Sequence, residues 1–305
     1  MAAWVYVTIA AAFAQNLRFM LQKHLRAVAL STTGATFARF AFSAPLVWGL
    51  VLIYARLTGQ GVPPVPPVPG GFWAYALGGG LAQILATMCV LALFGRRNFA
   101  VGITFKKTEV LQTALIGLIV LGEGVSPLAL VAIAIGFVGV VLLSRPPEAA
   151  PGGMARLFNR ASGLGLLSGL LFGVSAIGYR GASLSLPAGD VILRAGLTLA
   201  IVTTYQTLIM AAWMGWRERG EIARVLRNWR VAGLVGLTSM IGSFCWFVAF
   251  TLQNAAYVKA LGQVELIFSF LTGVVVFRER TSRREIGAMV LIALSVVVLA
   301  LAVAV

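Results

Sequence analysis

Apolar runs about twenty residues long recur from one end of this chain to the other, and they limit it to one kind of fold. A run of that length, wound as helix at about 1.5 Å per residue, crosses the roughly 30 Å hydrocarbon core of a bilayer. Backbone amides find no water inside that core, so the runs must close their hydrogen bonds internally as helices. Ten runs stand out, at approximately 2–21, 33–55, 72–94, 99–121, 125–143, 162–180, 189–214, 231–251, 254–277 and 285–304. Only 11% of the residues are charged and 60% are hydrophobic, against roughly one quarter charged in soluble domains. No small-residue cleavage site follows the first run, which therefore reads as a span and not a signal peptide. The expected fold class is an all-α polytopic membrane protein.

The breaks between runs carry matching punctuation. GQGVPPVPPVPGG, Gly59 to Gly71, cannot continue a helix. RPPEAAPGGMARLFNR, Arg145 to Arg160, is the long polar connection near the midpoint and divides 1–150 from 151–305. RERGEIARVLRNWR, Arg217 to Arg230, reads as a short amphipathic surface helix. The net charge of +15 does not point to nucleic acid, because the basic residues sit mostly in short loops, as membrane topology demands. Sixteen Lys and Arg lie in the loops after odd-numbered spans, and only Arg56 and Arg180 lie on the opposite side. The positive-inside rule then puts both termini outside the cytoplasm. Cys89 and Cys245 lie in apolar spans and read as inert thiols, and His24 is the only histidine. With no Cys/His set at ligand spacing and no Gly-rich phosphate loop, neither a metal nor another cofactor is expected. With no nucleophile–base pair either, an enzyme is not expected.

Two stretches reveal a repeat. TEVLQTALIGLIVLGE (Thr108 to Glu123) and VELIFSFLTGVVVFRE (Val264 to Glu279) place two glutamates at the same points, 156 residues apart. Sliding residues 80–143 onto 236–299 matches 16 of 64 positions without a gap. Matches of Leu, Val or Gly mean little in so biased a composition. The polar ones carry the argument: Asn98 with Asn254, Glu109 with Glu265, Glu123 with Glu279, Ser126 with Ser282. Arg39 and Arg194, near the starts of spans 2 and 7, agree more loosely. Five spans per unit is an odd number, so the second unit must lie inverted relative to the first. Secondary transporters are built this way, with a binding site near the midplane where the halves meet. The expected architecture is ten transmembrane helices as two inverted five-helix repeats around a central cavity.

These features resemble the drug/metabolite transporter (DMT) superfamily, and within it the EamA-type members. Those proteins often carry a Leu-Glu-Pro opening and a Gly-Glu ending in spans 4 and 9. Here the two glutamates stand, with Val110 and Leu266 in place of the proline. Ala38-Arg39-Phe40 is similar to the Arg-Phe that opens the family's second span, whereas Phe13-Ala14-Gln15-Asn16 replaces its usual Trp-Gly in span 1. The resemblance covers nearly the whole chain. It implies a secondary active transporter, an exporter of small metabolites such as amino acids or organic anions, working by alternating access. It also implies a multi-pass protein of a bacterial inner (plasma) membrane, with both termini inside, against the charge distribution. A proton-coupled multidrug exporter is the alternative within the class. A non-transporting membrane scaffold or lipid-handling protein is the alternative outside it.

Glu109 and Glu265 each follow the asparagine of their span by eleven residues, about 16 Å along a helix and so near the bilayer midplane. An ionisable group there costs at least about 2.5 kcal/mol and faces protein or an aqueous cavity. Two readings stay open: a structural glutamate bonded to a neighbouring helix, or a proton or substrate site between the halves. Glu123 and Glu279, at span ends, read as structural. Six basic residues lie within spans, Arg18, Arg39, Lys106, Lys107, Arg194 and Lys259, against two mid-span carboxylates. Lys259, Arg39 and Arg194 are near enough to span ends to snorkel. If they turn inward instead, the cavity is net positive and favours a carboxylate, phosphate or zwitterion over a lipophilic cation. Lys106, three residues before Glu109, shares its face. Lys259 and Gln263 share a face of span 9, with Glu265 about 200° round from Gln263. Three and four residues from Glu265 stand Leu261, Gly262, Phe268 and Ser269, none basic. Glu265 is therefore expected to couple protons, and Glu109 to be the structural member. Gln15, Asn16, Tyr179 and Trp246 complete the candidate set, with Tyr257 a further aromatic; rings in spans also serve as packing or interface anchors.

Overall fold

A computed structural model describes residues 2–28, 30–59, 68–93, 105–143, 160–268 and 282–304. Every regular element among them is a helix. They are α1 (Ala3–Val28), α2 (Thr32–Leu57), α3 (Gly70–Leu93), α4 (Glu109–Leu121), α5 (Pro127–Leu143), α6 (Arg160–Ser185), α7 (Val191–Arg217), α8 (Glu221–Arg227), α9 (Trp229–Leu252), α10 (Ala255–Leu261) and α11 (Arg283–Ala304), with a 3₁₀ turn at Gly262–Val264. Six of these, α2, α3, α6, α7, α9 and α11, are long and apolar enough to cross a bilayer. The apolar α4 and α5 are shorter, at 13 and 17 residues. The chain is a multi-pass helical membrane protein. Large apolar side chains such as Ile53, Leu115, Ile119, Val290 and Leu301 point outward, as a lipid-facing surface requires.

Local chemistry explains the helix ends. Ser31 opens α2, its hydroxyl accepting from the Gly34 amide at 3.0 Å. Asp190 opens α7 through the Leu193 amide at 2.8 Å, and Asn254 opens α10 through the Ala256 amide at 2.8 Å. Gly122 closes α4 at φ 69°, a left-handed conformation that glycine adopts without penalty. The run expected at 2–21 continues as α1 to Val28. Toward its end Arg18 donates to Gln22 Oε1 at 2.8 Å and Gln22 to the Ala35 carbonyl of α2 at 2.9 Å, whereas Lys23 and His24 are exposed. The run expected at 254–277 is broken, since α10 ends at Leu261 and the 3₁₀ turn intervenes before Glu265. Residues 269–281, the two long linkers (60–67 and 144–159) and Asn98 lie outside the described residues, as does the boundary near residue 150.

Packing joins distant parts of the chain. The main pairs are α1 on α9, α3 on α6, α2 on α7 and α9, α5 on α11, and α4 on α6 and α10. Small residues permit the closest crossings, as is usual for helices in lipid. A β-carbon at Gly178 of α6 would sit 2.7 Å from the Tyr75 carbonyl oxygen and 2.9 Å from Gly79 Cα of α3. Gly136 and Gly139 of α5 face Ser295 and Ile292 of α11 in the same way. At one end of the bundle, Ser31 bonds to Glu218 and Glu221, which ties α8 and the basic segment Arg217–Arg230 beside the α1–α2 connection. The expected amphipathic helix there is α8, which buries Glu221 and Val225 and exposes Leu226. Tyr54 bonds to Asp190 at another connection, between the end of α2 and the start of α7.

Candidate functional site

The two glutamates meet. Lys106 Nζ lies 3.5 Å from Glu109 Oε2 and 3.9 Å from Glu265 Oε1. Lys259 Nζ lies 3.3 Å from Glu109 Oε1, and Lys107 Nζ binds Glu265 Oε1. Each carboxylate is thus held by a lysine from the far side of the sequence midpoint. The expected Lys106–Glu109 pair is present. The expectation that Glu265 lacks a cation fails, because Lys107 reaches it from 158 residues away, where a search of its own helix face cannot look. Glu265 Oε2 also accepts from Gln15 Nε2 at 2.7 Å, and Gln15 Oε1 accepts from Trp246 Nε1 at 3.1 Å.

Helix breaks position these groups. A turn at Lys107–Thr108 precedes α4, so Glu109 opens that helix, and the 3₁₀ turn at Gly262–Val264 precedes Glu265. Glu123, just past Gly122, takes Arg180 Nε on both oxygens, at 2.8 and 2.7 Å. Arg180 also donates to the Phe250 and Gln253 carbonyls, so Glu123 has the structural role expected of it. Glu279 lies outside the described residues.

The inward-facing basic residues are now distinguishable from the snorkelling ones. Lys259 is boxed by Trp246, Phe172 and Phe250, its Nζ 5.0, 5.5 and 5.7 Å from their ring centroids. Arg39 is 3% exposed and spends its donors on hydroxyls: Ser239 at 3.0 Å, Thr87 at 3.0 Å and Ser243 at 3.3 Å. Arg18, 2% exposed, donates to Gln22 and lies 4.1 Å from the Phe19 ring centroid. Arg194 is half-buried near the start of α7, away from this group.

Arg39, Lys259, Gln15, Gln83, Tyr179 and Trp246 line a central cavity. The space open to the centre of a water-sized sphere is about 20 Å³, room for about one water. In this conformation an organic substrate needs the helices to part. Tyr179 stacks on Phe247 (4.2 Å, 28°), and its hydroxyl accepts from Gln206, which also bonds to Gln83 at 3.0 Å. Two expected site residues stand elsewhere. Gln263 is 4% exposed and faces α5 at Gly136, and half-buried Asn16 is not part of the cavity wall. Tyr257 takes a packing role, its hydroxyl accepting from the Ser126 amide at 3.0 Å. Sequence reasoning did not place Lys107, Gln83 or Phe172 in the site. Lys107 was visible as a mid-span lysine next to Lys106; Phe172 and Gln83 had no signal in so apolar a chain. Among the described residues no group of His, Cys, Asp and Glu is arranged to hold a metal.

No family model matches the chain, and no curated protein matches it. Solved structures do share the fold. One, described as "Crystal structure of protein", is 17% identical over 98% of this chain and 96% of its own, with a TM-score of 0.67. At that identity the similarity is one of fold.

Proposed function

We propose that the chain is a secondary active transporter, an exporter of small metabolites such as amino acids or organic anions, working by alternating access. The proposed architecture is ten spans in two inverted five-helix units. The observation that carries this reading is the pair of interrupted helices. Lys107–Thr108 lies 156 residues before Gln263–Val264 of the 3₁₀ turn, each directly before a glutamate whose side chain is 11% or 13% exposed. Interrupted helices at matching points of two halves mark the binding site of inverted-repeat transporters.

The contacts support a twofold relation between the halves. Trp48 Nε1 donates to Thr204 Oγ1 at 2.9 Å, and these residues are themselves 156 apart. Glu109 and Glu265, also 156 apart, share Lys106. Gly136 meets Ser295 and Gly139 meets Ile292, so the shift of 156 turns one contact into the other. A residue that contacts its own equivalent, or contacts that interchange in this way, are what a twofold axis generates.

The buried lysines and arginines favour an anion and weigh against a multidrug exporter of lipophilic cations. Protons are the proposed coupling ion; Glu265, which binds Lys107 and accepts from Gln15, does not have the cation-free setting that singled it out as the exchanging group. The test is uptake of a labelled metabolite mixture by proteoliposomes, with and without an imposed pH gradient. The expected result is substrate-dependent flux that responds to the gradient. Folded protein that moves none of the metabolites would overturn the reading in favour of a scaffold or lipid-handling role.

A further inference from the structure

We infer that the substrate is a compact anion carrying at least two negative charges on oxygen, a dicarboxylate or a phosphate monoester, and not a zwitterionic amino acid. This rests on the transporter reading and narrows it. The argument is a charge count at the centre of the bundle. Five cationic side chains are buried there: Arg18, Arg39, Lys106, Lys107 and Lys259, each between 2% and 8% exposed. Two carboxylates, Glu109 and Glu265, are within ion-pair distance of the three lysines. The two arginines contact no carboxylate among the described residues. Arg39 is satisfied by three hydroxyls, and Arg18 by the Gln22 amide and the Phe19 ring.

That division matters because the two side chains respond differently to burial. A buried lysine can release its proton and become neutral; an arginine stays charged under any condition a protein survives. Proton loss from a lysine lowers the excess of positive charge, but the two arginine charges stay. Arg18 feels the repulsion of Arg39 and, more weakly, the attraction of Glu265. Excess charge at membrane depth is costly, and among the described residues five buried cations stand against two carboxylates at this centre. Arg39 lines the central cavity with Lys259, so an anion in the cavity reaches the excess directly. A guanidinium presents a planar fork that fits carboxylate or phosphate oxygens two at a time. A zwitterion brings no net charge, and its ammonium group would face Arg39 and Lys259. The rings of Phe172, Trp246 and Phe250 that enclose Lys259 limit the rest of the ligand to a small body.

The test is a charge ladder on the purified full-length protein in mild detergent, near neutral pH and at constant ionic strength. Butyrate, succinate, glycerol phosphate and leucine are titrated while thermal unfolding is followed. Succinate or glycerol phosphate is expected to give the same rise in unfolding temperature at a concentration at least about tenfold lower than butyrate, with leucine weaker still. Which of the two dianions acts at lower concentration distinguishes a dicarboxylate from a phosphate ester. Arg39→Gln is expected to reduce the dianion preference to about twofold or less. Arg39→Lys, which keeps the charge and loses the fork, is expected to weaken every anion while retaining the preference. Equal response to butyrate or leucine, or no response to any member, overturns the inference without need of a variant. An unchanged dianion preference in folded Arg39→Gln overturns it as well. Stabilisation by dianions with no flux in proteoliposomes would leave the anion site standing and defeat the transporter reading alone.

Discussion

Glu109 is ion-paired with two lysines, Lys106 at 3.5 Å and Lys259 at 3.3 Å, and the second contact joins the two parts of the chain. At an effective dielectric near 20, opposite charges 3.3 Å apart attract by about 5 kcal/mol. Most of that offsets the loss of hydration, because the two side chains are only 9% and 11% exposed. The pair as a whole is worth little, but removing one member leaves the other's hydration loss uncompensated. Glu109→Gln takes the counter-charge from two lysines at once and is expected to cost about 3–5 kcal/mol. Lys259→Met should cost less, about 1 kcal/mol, since Glu109 keeps Lys106 and the new side chain sits among three aromatic rings. In the double variant Lys106 still has Glu265 at 3.9 Å. The double is therefore expected to fall short of the sum of the singles by about 2 kcal/mol. Reversible unfolding in mixed micelles, followed by circular dichroism, measures all three. Additivity within about 0.5 kcal/mol would refute the cross-chain pair. So would a Lys259→Met cost equal to that of Glu109→Gln.

Two further outcomes are expected. Gly178→Ala forces a β-carbon against backbone atoms at 2.7 and 2.9 Å that no side-chain rotation can relieve, and should cost about 1–3 kcal/mol in thermal unfolding. Gly163→Ala, with nothing described within 4 Å, should stay within about 0.5 kcal/mol of the parent, and equal effects would show that α3 and α6 do not cross as closely as drawn. Ala223→Cys, exposed on α8, in a chain with Cys89 and Cys245 replaced by alanine, should resist a membrane-impermeant thiol reagent in intact cells. Rapid labelling would place the arginine-rich end outside and overturn the orientation read from the loop charges.

The sequence made the apolar helices legible because hydrogen-bond closure in a bilayer leaves a long, continuous signal. The glutamates were legible for the opposite reason, as isolated ionisable groups in segments where such groups are costly. Pairing was only half readable. Lys106 and Glu109 are three apart and meet on one helix face, but Lys107 meets Glu265 through the fold, across 158 residues. Arg39 shows the same limit. Its position near a span start left snorkelling and inward readings open, and what decided it were Thr87, Ser239 and Ser243, contributed by α3 and α9. Gln15 could be singled out only by its place in the chain. Its bridge from Glu265 to Trp246 depends on α1 packing along α9, which no local pattern encodes.

Three lysines on two carboxylates form an arrangement without a single best pairing, and this bears on how the proposed transporter moves. If each glutamate had one private lysine, parting the halves would separate buried charges and meet the full cost of leaving each alone. Lys106 removes that obstacle because it already stands within 4 Å of both Glu109 and Glu265. When Lys259 withdraws from Glu109, Lys106 still holds that carboxylate. When Lys107 withdraws from Glu265, Lys106 stands ready there as well. The turn at Lys107–Thr108 and the 3₁₀ turn at Gly262–Val264 put this sharing where the helices are already interrupted. Changes in backbone angles there break fewer helical hydrogen bonds than they would mid-helix. A substrate anion that binds Lys259 at the cavity therefore competes with Glu109 for a cation whose departure Lys106 covers, so its binding energy can go into opening the bundle.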